Sequence, residues 1–475
     1  MLRSKGCRVM MSRVRFQTDF NVARLNKRGL LRRLPGLSAV FWLFVLVLIC
    51  GFDTLENKDL GLELQIERKV LSNGLEVLLV EDHRVPIISF QTWLRVGSVD
   101  EHLGITGVSH LFEHLMFRGT KKYGPREFFQ QLETQGAEVN AFTTRDYTVF
   151  YENFTPRLLE KVIDLESDRL AHLTVTQDVL DQEKRVILEE RQLRGENSVE
   201  TKMFEALWQL SYRYHPYQWP VMGYVQDLIT LPLEALQSFF KTYYQPSNVT
   251  LILIGDFKTT EALGWIKKYY EPIASGAQPK REIQSEPPAT EERRLILREA
   301  VKAEKFAYAY HVGSAQDEDS YALDVLVNIL FEGESSQAYQ KLVKEKKIAT
   351  HLQGTCYTPA YPGLLMVSGS MRPRVSSAAA EKEIEALIEK VKLNGVTPEQ
   401  LKAAIRQLTI HGMDQLRTPY GVGQILGALQ MLFRDPKRMM EDFKKYNQVG
   451  ASDVQRVAQK YLDPNNRVVV TVVAK

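Results

Sequence analysis

Hydrophobic and polar positions alternate over short runs early in the chain. Lys69 to Leu71, then Leu75 to Val80, read as two strands around the turn Ser72-Asn73-Gly74. Ile87 to Val96 predicts a further strand, ending at Gly97-Ser98. Gly136 to Thr143 and Tyr147 to Tyr151 predict an antiparallel pair. Between them, Gly107 to Phe117 (GVSHLFEHLMF) has the apolar spacing of a helix, as do Leu158 to Leu173 and Thr176 to Arg194. Val249 to Gly255 is a continuous apolar run, the signature of a strand buried on both faces. Pro, Gly, Ser and charge then dominate Ser275 to Glu292, which is linker chemistry. Strand and helix patterns resume beyond it.

The two halves repeat each other. Arg95-Val96-Gly97-Ser98 recurs as His311-Val312-Gly313-Ser314, and Leu115 to Gly119 recurs as Ile329 to Gly333. Tyr244 to Asn248 before a Val/Ile strand recurs as Leu462 to Asn466 before Val468 to Val473. The order is kept at nearly constant offset, the mark of a duplicated unit. The expected fold is α+β: two homologous domains, each an antiparallel sheet packed by helices, joined by a linker as a clamshell. The boundaries are 62–274, a linker at 275–292, and 293–475.

The N-terminus departs from this pattern. Ten basic residues between Arg3 and Arg33 face a single acid, Asp19, so residues 1–36 form a basic leader. Residues 37–52 (LSAVFWLFVLVLICGF) are uncharged and apolar, which reads as a secretory signal or an uncleaved membrane anchor. The expected location is exported, in a bacterial periplasm or anchored facing it, with an organellar presequence as the alternative. The net charge of +3 belongs largely to the leader, and no basic stripe with interleaved aromatics occurs elsewhere, which argues against nucleic acid. Three cysteines are present, two of them (Cys7 and Cys50) before residue 53. With only Cys356 in the body, internal disulfides are excluded, and any metal must be held by histidine and carboxylate.

The predicted helix at Gly107 to Phe117 carries that chemistry. His110, Glu113 and His114 form H-x-x-E-H, the inverse of the commoner zinc-protease order. On a helix the two imidazoles lie one turn apart on one face and can bind one ion, with Glu113 beside them in reach of a bound water. The same residues also fit a buried helix whose histidines satisfy local hydrogen bonds. A catalytic site needs a third ligand and an open position. Glu183 and Glu190, two turns apart, share a face of the Thr176–Arg194 helix, while Glu189 points away. Spacing alone fits Glu190 as ligand and Glu183 as an acceptor orienting a histidine or water, and fits equally a solvated charged face.

Taken together, these blocks resemble the pitrilysin/insulysin superfamily of inverzincins, in the branch of mitochondrial processing peptidase and its bacterial relatives. The matching residues are Ser72 to Leu75, Val96 to Ser98, Gly107 to Phe117 with Gly119-Thr120, Gly136 to Thr143, Glu183 to Glu190 and His215-Pro216-Tyr217. The resemblance runs from about Leu62 to the C-terminus. It implies a zinc metalloendopeptidase with one Zn2+ per chain, held by His110, His114 and Glu190, with Glu113 as the base that activates the zinc-bound water. Glu183 matches the family's acid behind the metal. Val139 to Phe142, with Asn140 and Ala141 at its centre, resembles the edge strand that holds an extended or unfolded peptide substrate.

The chain departs from the family at one place. Single-chain members carry an Arg and a Tyr seven residues apart in the second domain, to hold substrate and the oxyanion. Lys344 and His351 stand there instead, and a lysine lacks the bidentate geometry of a guanidinium. The resemblance therefore implies a homologous partner subunit, in a homo- or heterodimer, that supplies the pair. The alternative is a catalytically weak scaffold or binding subunit of a heteromeric complex. In the repeat register His110, Glu113 and His114 fall opposite Asp324, Val327 and Asn328, so the second half lacks the metal residues.

Overall fold

The computed structural model describes residues 8–9, 14–15, 64–125, 127–196 and 198–475. The basic leader, the apolar run 37–52 and the connector after it lie outside these, apart from the short pairing of Arg8–Val9 with Val14–Arg15. Among the described residues no helix is long and apolar enough to cross a membrane.

The first half holds six strands, β1 (Glu67–Val70), β2 (Glu76–Glu81), β3 (Ile88–Leu94), β4 (Glu138–Thr143), β5 (Thr148–Phe154) and β6 (Val249–Gly255). Its helices are α1 (Val108–Leu115), α2 (Glu127–Glu133), α3 (Leu159–His172), α4 (Gln177–Arg191), α5 (Val199–Ser211), α6 (Val225–Thr230), α7 (Leu233–Tyr243) and α8 (Thr259–Tyr270). The second half holds strands β7 (Arg293–Glu299), β8 (Lys305–His311), β9 (Ala349–Tyr357), β10 (Leu364–Met371) and β11 (Arg467–Ala474). Its long helices are α9 (Asp319–Leu330), α10 (Ser377–Asn394), α11 (Pro398–Gln415), α12 (Pro419–Phe433), α13 (Met439–Gln448) and α14 (Ala451–Tyr461).

The sheets show the duplication directly. The first has the order β1-β2-β6-β3-β5-β4 and the second β9-β10-β8-β11-β7. Reversing the second places β7-β11-β8-β10-β9 on β2-β6-β3-β5-β4. In both, the first of these pairs is parallel and the rest are antiparallel. Among the described residues, a strand on one edge of each sheet, β4 or β9, pairs with a single neighbour.

Strand alternation decides what each sheet face meets. In β3, Ile88, Phe90 and Leu94 point to the first half's own helices and join the core with Leu111, Phe112, Val162, Ile163 and Ile266. Gln91 and Trp93 point the other way, onto α12 of the second half. There Gln91 Nε2 donates to the Tyr420 carbonyl at 3.0 Å, and the Gln424 amide donates to Gln91 Oε1 at 3.1 Å. Gly427 is required at this crossing, because a Cβ would stand 2.0 Å from the Trp93 ring. The second sheet receives the converse. Met203, Leu207 and Trp208 of α5 pack on Ala307, Ala309, Val468, Val470 and Val472. The halves thus exchange helices, each covering one face of the other's sheet.

The segment 275–292 has no regular secondary structure, as its composition predicts. It is nonetheless anchored. The Arg281 guanidinium makes two 2.7 Å hydrogen bonds to the Asp100 carboxylate and a 2.6 Å bond to the Asp146 carbonyl.

Candidate metal centre

The helix α1 starts at Gly107, whose φ of +87° and close approach to the Met222 carbonyl exclude a side chain. Two of its free N–H groups are capped from a distance. Glu101 Oε2 accepts from the Gly107 N–H at 2.7 Å and Oε1 from the Ser109 N–H at 2.8 Å. Burial pushes the Glu101 carboxyl up to about 8, against the opposing pull of these two donors. Thr106 Oγ1 donates to Asp227 of α6 at 2.6 Å and accepts from the Tyr224 N–H, tying down the loop that precedes the helix.

On α1, His110 and His114 face the same way, their ring centroids 5.0 Å apart. Packing of α1 against α4 brings Glu190 to them. One ligand atom from each of His110, His114 and Glu190 lies within 4.8 Å of the others, the sole such His/Cys/Asp/Glu group among the described residues. A tetrahedral ion with bonds of about 2.0–2.1 Å sets its ligand atoms about 3.3 Å apart. His114 Nε2 and Glu190 Oε2 already stand 3.3 Å apart. His110 is buried, and its Nδ1 has no hydrogen-bond partner. The donor set and spacing fit a zinc-sized ion.

The electrostatics are built around His114, which lies between two carboxylates. Its Nδ1 is 3.4 Å from Glu183 Oε2, and its Nε2 faces Glu190. Burial lowers the His114 pKa, but the hydrogen bonds to Glu183 and Glu190 outweigh it and push it up to about 9. For His110 burial dominates, and its pKa is lowered. Burial raises Glu190, yet His114, His110 and Arg194 together hold it down to about 2. Glu183, buried on α4, is likewise held low by His114 and Arg118. Each carboxylate divides its oxygens: Glu190 Oε1 pairs with Arg194 and Glu183 Oε1 with Arg118, so both Oε2 atoms serve His114.

Glu113 follows on the same helix, and its Oε2 accepts a 2.6 Å hydrogen bond from Thr143 Oγ1. Thr143 ends β4, the edge strand that carries Asn140 and Ala141 in half-buried positions. Lys344 pairs with Glu334 at 3.4 Å in the turn after α9, and His351 is exposed on β9. No hydrogen bond or ion pair joins either to His110, Glu113, His114 or Glu190.

Thr143, Arg118, Arg194 and Glu101 were not singled out by sequence reasoning. Arg194 was within its reach, standing four residues after Glu190, the spacing of a helical ion pair. Arg118 stands four after His114, but α1 stops at Leu115, so helical spacing does not place it. Thr143 acts across the fold, 30 positions from Glu113, and Glu101 reaches Gly107 and Ser109 six and eight positions on, at spacings no helical or strand period marks.

The corresponding helix of the second half carries different residues. Asp324 and Asn328 occupy α9, which follows β8 as α1 follows β3. The Tyr446 hydroxyl of α13 donates to Asp324, and the Tyr446 ring packs edge-on against Tyr321 at 5.1 Å.

Two models of one peptidase family match consecutive stretches of the chain: insulinase (peptidase family M16) over residues 76–224, and the peptidase M16 inactive domain over 230–408. The chain belongs to the M16 peptidase family. The second match begins before β6, which completes the first sheet, so it crosses from one sheet to the other. Among M16 relatives, the zinc protease PqqE of Helicobacter pylori is 27% identical over 399 residues, covering 83% of this chain and 90% of that protein. The uncharacterized zinc protease YmxG of Bacillus subtilis is 23% identical over 395 residues, covering 83% and 95%. A probable mitochondrial-processing peptidase subunit beta of Arabidopsis thaliana is 27% identical over 263 residues, covering 55% and 49%. The crystal structure of a protease from Helicobacter pylori aligns with a TM-score of 0.83 at 26% identity, over 86% of this chain and all of that one. The two-domain α+β architecture is thus that of M16 peptidases, and the full-length relatives are named zinc proteases.

Proposed function

We propose that this M16 chain is a zinc-dependent metalloendopeptidase that hydrolyses extended or unfolded peptides, with one zinc ion per chain held by His110, His114 and Glu190. The observation that carries the reading is the convergence of these three side chains within 4.8 Å, with Glu113 beside them on the same helix. A zinc ion there supplies Lewis acidity, polarising a peptide carbonyl and acidifying water.

The chain's own groups do the rest. Glu183 accepts from His114 Nδ1, which fixes the tautomer and presents Nε2 to the metal side. Glu113 takes the proton of the attacking water and returns it to the leaving amine. The free edge of β4 pairs with the backbone of an extended peptide around Asn140 and Ala141. Such pairing is indifferent to most side chains and excludes folded segments. A homologous partner subunit completes the site by supplying the Arg/Tyr pair in whose places this chain carries Lys344 and His351. The apolar run at 37–52 directs the chain to export, where unfolded peptides are its substrates.

The test is hydrolysis of unstructured peptides by a chain of residues 53–475 together with its homologous partner, with and without a chelator. Activity should vanish on chelation and return with zinc; hydrolysis indifferent to the chelator would overturn the reading. Glu183→Gln is expected to weaken zinc binding about 10–100-fold, measured by competition with a chromophoric chelator, because it loses the charge that orients His114. An unchanged affinity would remove Glu183 from the site.

A further inference from the structure

We propose that Thr143 is a positioning residue for the general base, its hydroxyl holding the Glu113 carboxylate in the orientation from which proton transfer occurs. The inference rests on the hydrolase reading and adds to it a residue outside the metal helix.

Three observations support it. The Thr143 hydroxyl donates to Glu113 Oε2 at 2.6 Å, and Thr143 is 7% exposed, so water competes poorly for the contact. One oxygen of the base is thereby fixed, and Oε1 is left to accept a proton. A glutamate without this bond is free to change rotamer about its longer side chain. Threonine suits the task because its branched Cβ restricts χ1, and a strand backbone narrows it further.

The strand end that carries Thr143 is itself held. Thr143 pairs with Thr148, whose hydroxyl donates to the Val96 carbonyl at 2.9 Å. In the following turn, Thr144 Oγ1 accepts from the N–H groups of Asp146 and Tyr147. The Asp146 carboxylate accepts from the Tyr217 hydroxyl at 2.6 Å and from the Ala360 N–H of the second half at 3.0 Å. Arg281 donates to the Asp146 carbonyl. The hydroxyl therefore projects from a frame fixed by both halves, onto a base borne by a separate helix. It also projects from the strand proposed to hold the peptide, so one element sets the position of substrate and of base.

A hydroxyl that merely satisfies its own burial would give a different result. In the zinc-loaded full-length chain, with its homologous partner present, Thr143→Val is expected to lower kcat for an unstructured peptide about 10–100-fold, the scale of a misplaced catalytic group. KM should stay within about twofold and zinc content at one per chain, because neither β4 pairing nor the ligands are touched. Thr143→Ser restores the donor and should recover most of kcat. A wild-type kcat in Thr143→Val, or an equal loss in Thr143→Ser, overturns the proposal. If Thr143→Val lacks a cooperative melting transition, Thr143→Ala is measured instead under the same criteria. Wild type that cleaves no peptide even with its homologous partner present would overturn the hydrolase reading and this proposal with it, whereas an active wild type beside an equally active Thr143→Val overturns this proposal alone.

Discussion

Replacing Glu113 by glutamine is expected to lower kcat for peptide hydrolysis by about 10²–10⁴-fold, the usual contribution of a general base. The substitution is close to isosteric and removes the basic oxygen. The amide carbonyl can still accept from Thr143, so the side chain keeps its place against β4. Glu113 lies outside the group formed by His110, His114 and Glu190, so zinc content should be unchanged. KM should change little, because the proposed peptide pairing belongs to the strand edge. Measured kcat, KM and zinc content thus separate loss of the base from loss of the metal. A Glu113→Gln chain that turns over as fast as wild type would remove Glu113 from the chemistry.

Separating the halves is expected to abolish folding of both. Expressed alone, residues 64–274 would lose α12 and uncover the sheet face carrying Gln91 and Trp93. Trp93 is fully buried in the whole chain, and an aromatic side chain of this kind covers about 150–250 Å². Tyr151 would lose Tyr420, which it meets at 4.6 Å between ring centroids. Residues 293–475 would likewise lose α5 and expose the face holding Ala307, Ala309, Val468 and Val470. An apolar patch of this extent drives association. Each half alone should be insoluble or melt without a cooperative transition, and co-expression should return a soluble pair. A half that melts cooperatively by itself would show that the exchanged helices are dispensable.

Much of this was legible in the sequence, for reasons that lie in particular residues. The turn at Asn73-Gly74 falls between β1 and β2, where Gly74 has a φ of +85° and the Asn73 amide bonds the Tyr270 carbonyl. The H-x-x-E-H helix was expected within Gly107 to Phe117 and spans Val108–Leu115. The long helix with Glu183 and Glu190 was expected over Thr176 to Arg194. It runs Gln177–Arg191 behind a Thr176 cap and passes into a wider turn at Gln192–Glu196. The internal repeat was visible because the turns that end β3 and β8 keep Val-Gly-Ser, and the two sheets share a strand order as a duplication requires.

What stayed hidden is non-local. An apolar helix face shows that a helix is covered, not which sheet covers it, so the exchange of α5 and α12 leaves no mark in either segment. Nearly every residue of α12 is buried, which reads equally well as the second half's own core. The contact of Thr143 with Glu113 depends on how β4 meets α1 and spans 30 positions. Composition showed that 275–292 lacks regular structure, but nothing around Arg281 announced Asp100 and Asp146 as its partners.

The central claim is metal-dependent peptide hydrolysis at one site per chain, and a stoichiometric titration tests it most directly. Chelator-stripped protein of residues 53–475 is given zinc in fractions of an equivalent, with its homologous partner present if activity requires one. Hydrolysis of an unstructured peptide is followed at each step. Activity should rise in proportion to zinc and break at one equivalent per chain, with no rise when Glu190 is replaced by glutamine. Full activity in the stripped protein, or an undiminished response in Glu190→Gln, would contradict the claim.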